Sequence, residues 1–264
     1  MTELTYTRLA GDADAPTLLV VGPSLGTDVA TLWAGTAGRL APGGEVVGWD
    51  LPGHGRSPAA TGPFTVADLA DDVRTRTAEL ATGRPTAYAG VSVGGAVGFL
   101  LAADPGPVGR VATVASAPRL GEPAAWHERA DLVRRAGTSA VVEGSAQRWF
   151  APGFLERDPA TGNALLLRLR EVDDASYAFT CEALAGFDAR PLLPGVALPL
   201  LVVAGEHDPV VPPDLAAAAA AGVSGARLEV LPGVAHLPPA EDPGAVAALL
   251  STHLFDETEE DPGA

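Results

Sequence analysis

Six short stretches of the chain are almost wholly apolar: residues 17–22, 45–50, 86–90, 110–115, 198–204 and 227–231. Each has the length of a strand. A strand with one wet face alternates apolar and polar residues. Most of these do not, which is the pattern of a parallel sheet covered on both faces. Between them, apolar residues recur every three or four positions, as on one face of a helix. Residues 66–80 read this way, with Asp, Arg and Glu on the polar face, and so do 94–103, 213–221 and 245–254. Strands alternating with helices predict an α/β fold with a mostly parallel, doubly wound sheet.

The alternation breaks once. After residue 115 the next strand-like run begins only at residue 198. The chain between reads as helices over 124–136, 140–150, 162–171 and 176–184. It carries two of the four tryptophans, Trp126 and Trp149. Residues 119–190 are therefore expected to form a helical cap or lid over the carboxyl edge of the sheet, where open α/β sheets bind ligands. A plain surface elaboration is the alternative. The core would then be residues 1–118 and 191–254. Residues 255–264 are acidic and aperiodic, with Pro and Gly, the pattern of a flexible tail or linker.

A length of 264 residues suits one such domain with an insertion. The net charge of −16 argues against nucleic acid and anionic membranes as partners, because binding phosphate needs basic surface. No apolar run approaches the ~20 residues that cross a bilayer. The first residues lack a basic start followed by an apolar stretch, so no secretory leader is expected. With one cysteine, Cys181, the expected setting is reducing and cytoplasmic. No cluster has metal-ligand spacing and no G-x-G-x-x-G follows the first strand, so neither metal nor cofactor is expected.

One motif carries chemistry. Gly90-Val-Ser92-Val-Gly94, with Gly95 after it, lies between an apolar strand and a helical run. That is the setting of a nucleophile elbow, a sharp strand-to-helix turn that lifts one serine above the sheet. Side chains two residues either side would collide, so glycine stands there. A glycine-rich turn holding a serine by chance is the alternative.

Serine needs a base. Of the five histidines, His54 sits in the tight loop "DLPGHGRS" and reads as structural. His127 lies in the insertion, His207 adjoins an acid, and His253 reads as a surface position. His236 lies in "LPGVAHLPPAEDP", between the last strand and the last helix, where it could reach Ser92. The base needs an acid to fix its tautomer. Asp208 follows the run 198–204 and takes that role, with Glu206 its rival. The order Ser92, Asp208, His236 is that of α/β-hydrolases. An oxyanion hole needs two preorganised N–H donors. Val93, next to the serine, and Leu25, between small Ser24 and Gly26, are the candidates.

With these residues in place, the chain resembles the 3-oxoadipate enol-lactonases of the α/β-hydrolase superfamily. "DLPGHGRS", "GVSVGG", "GEHDPVVPP" and "AHLPPAEDP" are shared by many hydrolases. The more specific stretches are "SLGTD" at 24–28, "SAPRLGEPAAWHERADLVRRAG" at 116–137, "QRWFAPGF" at 147–154 and "DDASYAFTCEALAGFDAR" at 173–190. Pro23 stands where such hydrolases often carry His or Asn. The resemblance implies hydrolysis of an unsaturated γ-lactone bearing a carboxymethyl arm, in aromatic-acid catabolism. It also implies relatives fused to a carboxymuconolactone decarboxylase domain, to which residues 255–264 would suit a linker. Other members of the superfamily compete: a carboxylesterase, a haloperoxidase-like perhydrolase, a C–C hydrolase, or a non-catalytic binding homologue.

The implied substrate is an acid, and long-range attraction to so acidic a protein cannot hold it. Arginine suits a carboxylate best. Arg119, Arg129, Arg134, Arg135 and Arg148 lie in the family-like parts of the insertion. Arg134 matches an arginine of the family pattern and is the first candidate, Arg119 the second. The alternative for Arg134 is a surface ion pair with Glu128, Asp131 or Glu143. Trp126 and Trp149 are candidate walls of the pocket, the alternative being that both are core of the insertion.

Overall fold

The computed structural model describes residues 3–255. In chain order the elements are β1 (Tyr6–Ala10), β2 (Leu18–Gly22), α1 (Val29–Leu40), β3 (Glu45–Trp49), α2 (Val66–Ala81), β4 (Thr86–Val91), α3 (Val93–Ala103) and β5 (Arg110–Val114). There follow α4 (Pro123–Ala136), α5 (Val142–Trp149), α6 (Phe154–Arg157), α7 (Pro159–Glu171) and α8 (Asp174–Ala185). The chain then returns to β6 (Leu200–Gly205), α9 (Pro213–Ala221), β7 (Arg227–Leu231), α10 (Pro238–Glu241) and α11 (Pro243–Phe255).

The strands form one seven-stranded sheet in the order β1-β3-β2-β4-β5-β6-β7. Every pairing is parallel except β1 with β3. Leu18, Leu19, Val20 and Val21 of β2 are fully buried, which is why that run shows no alternation. The chain order reverses direction between β2 and β4, and a crevice forms at the carboxyl end of the strands at such a point.

The structure adds four elements that the sequence reading does not predict, one of them the single turn α10. Strand β1 is the antiparallel edge, and its residues are only partly buried, so it lacks a strong apolar signature. Helix α1 contains Gly35 and Gly38, which weaken the helical signal, although Trp33 and Leu32 are fully buried. Helix α6 is a single turn. The predicted helix at 140–150 begins as a 3₁₀ turn, Thr138–Val141, and becomes α-helical at Val142.

His253 corrects an expectation. It is buried, and its Nε2 lies 3.0 Å from the Val111 carbonyl of β5. Helix α11 packs on α1 and β5, so its last turn faces the sheet. The expected tail at 255–264 lies outside the described residues except for Phe255, which closes α11.

The helices between β5 and β6 meet the core loops at several points. The Asp173 N–H donates to the Gly53 carbonyl at 3.0 Å, and the Ala60 N–H to Ser176 Oγ at 2.8 Å. The His236 N–H donates to the Trp149 carbonyl at 3.1 Å.

Candidate active site

Between β4 and α3 the chain turns at Ser92, which sits at φ 54°, ψ −111°. A side chain there is strained, and such strain persists only where the surroundings impose it. Here they do. The Ser92 N–H donates to the Val114 carbonyl at 2.9 Å, and Ser116 Oγ donates to the Ser92 carbonyl at 2.7 Å. The glycines have a steric cause. A Cβ on Gly90 would run into the Gly94 carbonyl. One on Gly94 would lie 2.7 Å from the Pro23 oxygen, and one on Gly95 2.7 Å from Ser116 Oγ. Strand, turn and helix are thus packed backbone to backbone around the serine.

The loop after β2 is tied to this turn. The Gly94 N–H donates to the Pro23 carbonyl at 2.9 Å, so proline at 23 supplies its oxygen to the elbow. The Thr27 N–H donates to the Ser24 carbonyl at 3.1 Å, with Gly26 at φ 87°. That is the hydrogen bond and the third-position geometry of a type II turn, with Leu25 second. Val93 is the first residue of α3, where an N–H has no partner within the helix. The Gly94–Pro23 hydrogen bond thus ties the loop that carries Leu25 to the first turn of α3, which begins at Val93.

Asp208 and His236 come from the ends of β6 and β7. His236 Nδ1 lies 2.8 Å from Asp208 Oδ2, and both side chains are buried. Asp208 Oδ1 accepts the Val210 N–H at 2.7 Å and the Val211 N–H at 3.1 Å, which fixes the carboxylate. Glu206 turns elsewhere. It is half exposed, and its Oε2 accepts the Gly233 N–H at 2.9 Å. His207 and His127 are exposed. His54 is buried, with Nδ1 2.9 Å from the Pro52 carbonyl, and burial pushes its pKa down to about 4.

Ser92 and His236 line one cavity of about 580 Å³. Ser24 and Leu25 line it from the β2 loop, Pro209 and Val210 from the β6 loop, and Trp126, Arg129, Arg148 and Trp149 from the helical insertion. A larger cleft of about 920 Å³ lies between α2 and the loop at 58–64 and holds none of these groups. Among the described residues no three His, Cys, Asp or Glu gather as metal ligands.

Arg134 is not among the residues that line the cavity. It reaches Glu182 Oε1 at 2.7 Å, and its guanidinium lies 5.6 Å from the Phe179 ring centroid. Arg119 pairs with Glu122 at 3.0 Å and does not line the cavity either. Arg134, on α4, and Arg119, in the bend before that helix, both turn to neighbouring acids. The arginines that reach the cavity are Arg129 and Arg148. Arg129 donates to the Tyr177 hydroxyl at 2.8 Å and to Ser145 Oγ at 3.0 Å. Among the described residues Arg148 makes only a long contact to the same Ser145 Oγ, at 3.5 Å. No carboxylate among the described residues lies within 4.0 Å of either guanidinium. Burial, and then the charge of Arg129, lower the pKa of Arg148. In sequence these two look like their neighbours, and only the helix phase set by packing tells them apart.

The sequence matches the alpha/beta hydrolase family over residues 18–249. It is 36% identical over 201 residues to 3-oxoadipate enol-lactonase 2 of Acinetobacter baylyi, covering 76% of this chain and 74% of that protein. Among solved structures, the enol-lactonase from Burkholderia xenovorans superposes with a TM-score of 0.91 at 31% identity, over 97% of each chain. A hydrolase from Pseudomonas aeruginosa superposes with a TM-score of 0.88, also at 31% identity, over 96% of this chain and 94% of its own. The chain belongs to the alpha/beta hydrolase family. Within it, the chain is an ester or lactone hydrolase.

Proposed function

We propose that this enzyme opens 3-oxoadipate enol-lactone, or a closely similar lactone acid, by a serine mechanism in aromatic-acid catabolism. The observation that carries the substrate class is the pair Arg129 and Arg148. Two guanidiniums line one cavity, and among the described residues no carboxylate, those of Glu122 and Glu128 in the same lining included, lies within 4.0 Å of either, in a chain of net charge −16. Like charges held together in a partly buried site raise the free energy until an anion joins them. A carboxylate on the substrate is such an anion, and Arg binds it through parallel hydrogen bonds.

In this reading residues 119–190 are the cap that carries the anion site, with Trp126 and Trp149 as apolar walls. Ser92 Oγ attacks the lactone carbonyl, and His236 takes its proton. Asp208 holds the imidazole in the needed tautomer and stabilises the imidazolium. The Leu25 and Val93 N–H groups bind the oxyanion. The ring oxygen then leaves, receives the proton from His236 and becomes an enol. Its conversion to a ketone makes ring opening hard to reverse. Water, activated by His236, releases the diacid from Ser92. The resemblance to the two enol-lactonases supports the reaction, and the Asp208–His236 contact supports the roles.

Turnover of 3-oxoadipate enol-lactone by the purified protein, set against p-nitrophenyl acetate, tests this. A preference for the neutral ester would overturn the substrate and favour a general carboxylesterase. Arg148→Ala should lower kcat/KM for the lactone acid about tenfold to a hundredfold, since a hydrogen bond to a charged group contributes roughly 1.5–3 kcal/mol. It should leave the neutral ester nearly unaffected. Equal losses on both substrates would make Arg148 a structural residue of the cap.

A further inference from the structure

The proposed mechanism leaves unused a buried acid beside the histidine. Glu241, in α10, is 7% exposed. Its Oε1 accepts the Ala235 N–H at 2.8 Å and the Leu237 N–H at 3.3 Å, the two peptides that flank His236. Its Oε2 accepts the Ala151 N–H at 2.7 Å, from the insertion. Two residues earlier in that segment, the Trp149 carbonyl accepts the N–H of His236 itself. One carboxylate therefore bridges the histidine loop and the chain that follows α5, whose Trp149 side chain walls the cavity.

Burying a carboxylate is costly, and burial raises the pKa of Glu241 above its usual range. Three N–H donors offset that cost. A neutral Gln could not do the same. Its oxygen could still take Ala235 and Leu237, but its NH₂ would face the Ala151 donor. An ordinary hydrophobic contact would hold the cap without a charge. Keeping a carboxylate here makes sense if both its geometry and its charge serve the histidine.

We propose that Glu241 is a positioning residue for His236: its carboxylate locks the histidine loop to the Trp149–Ala151 segment of the insertion, so that the seating of the cap and the placement of the base are set by one group. This rests on His236 being the base. The charged groups disposed around that imidazole are Asp208 from the β6 loop, Glu241 from α10, and Glu122, Glu128, Arg129 and Arg148 across the cavity.

The test uses the full-length chain, with p-nitrophenyl acetate hydrolysis and the rate of Ser92 labelling by a fluorophosphonate. Neither depends on the lactone being the natural substrate. Glu241→Gln should lower both rates roughly tenfold to a hundredfold, as expected when a catalytic group shifts by about an ångström. The loss should fall on kcat, with KM for the ester nearly unchanged, as when the base is misplaced and the pocket is not. Glu241→Asp shortens the reach and should show the same split. Unchanged rates in Glu241→Gln, with only a lower melting temperature, would overturn the proposal, and so would a loss carried by KM alone. So would failure of both variants to fold, which would make Glu241 a fold determinant only. His236→Ala is the control: labelling at the wild-type rate there would refute the role given to His236, a different result from any expected at Glu241.

Discussion

At the scale of single residues, Ser92 joins strain to chemistry. On the proposed reading, Ser92→Ala should cost at least about 10³-fold in kcat while circular dichroism stays unchanged, because the three residues act as a unit. Activity within tenfold of wild type would remove Ser92 from the mechanism. The backbone gives a second, independent readout. At φ 54°, ψ −111° any Cβ is strained by an amount of order 1–3 kcal/mol. Ser92→Gly should therefore unfold at higher urea than Ser92→Ala, by about 1 kcal/mol once the greater freedom of unfolded glycine is counted. The two acids after β6 also separate cleanly. Asp208 touches His236, whereas Glu206 bonds only the Gly233 N–H and lies beside His207. Asp208→Asn should lower kcat by about 10⁴-fold through the wrong imidazole tautomer, and Glu206→Gln by no more than a few-fold. The reverse ranking in steady-state kinetics would exchange their roles.

Between elements, the insertion braces the core loop that carries Leu25. Helix α7 brings Leu169 against Gly26, where an added Cβ would lie 2.6 Å from Leu169 Cδ1 and 3.2 Å from the Trp149 ring. From the same helix, Arg168 Nε lies 3.6 Å from Asp28 Oδ2. Gly26→Ala should thus lower kcat by pushing α7 and the turn apart, and by straining a backbone held at φ 87°. Leu169→Ala removes the closer clash alone. The double variant should recover part of the lost activity, and the shortfall measures the backbone strain together with the remaining Trp149 contact. No recovery at all would mean that α7 does not press on this turn.

For the whole molecule, His54 ties stability to pH. It lies in the loop after β3, stacked on Tyr177 of α8 with ring centroids 6.3 Å apart, so it joins core to insertion. Burial lowers its pKa from 6.5 to about 4. Between those values the unfolded chain holds a proton that the fold rejects, so stability falls as pH falls through that window and is complete above it. The shift corresponds to a loss on the order of 3 kcal/mol. Asp50 and Glu241 act in the opposite sense. Burial raises their pKa values, so their contribution is present at low pH and is lost as pH rises through the raised values. The difference between wild type and His54→Asn isolates the histidine. Urea midpoints at pH 7.5 and pH 5 should diverge in wild type and diverge less in the variant, where buried His253, whose pKa is also lowered by burial, still acts in the same sense. Parallel midpoints would show that His54 does not govern the acid limb of stability.

The parallel strands, the elbow and the order of its candidate partners are legible in the amino-acid sequence. Those features are local. A strand buried on both faces must be apolar throughout, and a serine turned sharply between strand and helix needs glycine where backbones touch, as Gly90 and Gly94 do. The family-like stretches pointed to the enol-lactonases, and the similarity to two such proteins agrees with that resemblance. Strand β1 escaped because it is a half-buried edge without a strong pattern of its own; helix α1 carries Val29, Leu32, Trp33, Ala37 and Leu40 at helical spacing, but Gly35 and Gly38 within it mask the signal. The burial of His253 escaped likewise, since α11 meets β5 only in the folded chain. Tertiary structure alone decided which arginines face the cavity. Arg129, Arg134 and Arg148 are alike in composition and local context, but the packing of α4 on α8 turns Arg134 to Glu182 and leaves Arg129 beside Arg148. The same holds for Glu241, one acid among many along the chain. Only the fold brings the Ala151 N–H, ninety residues away in sequence, to its second oxygen.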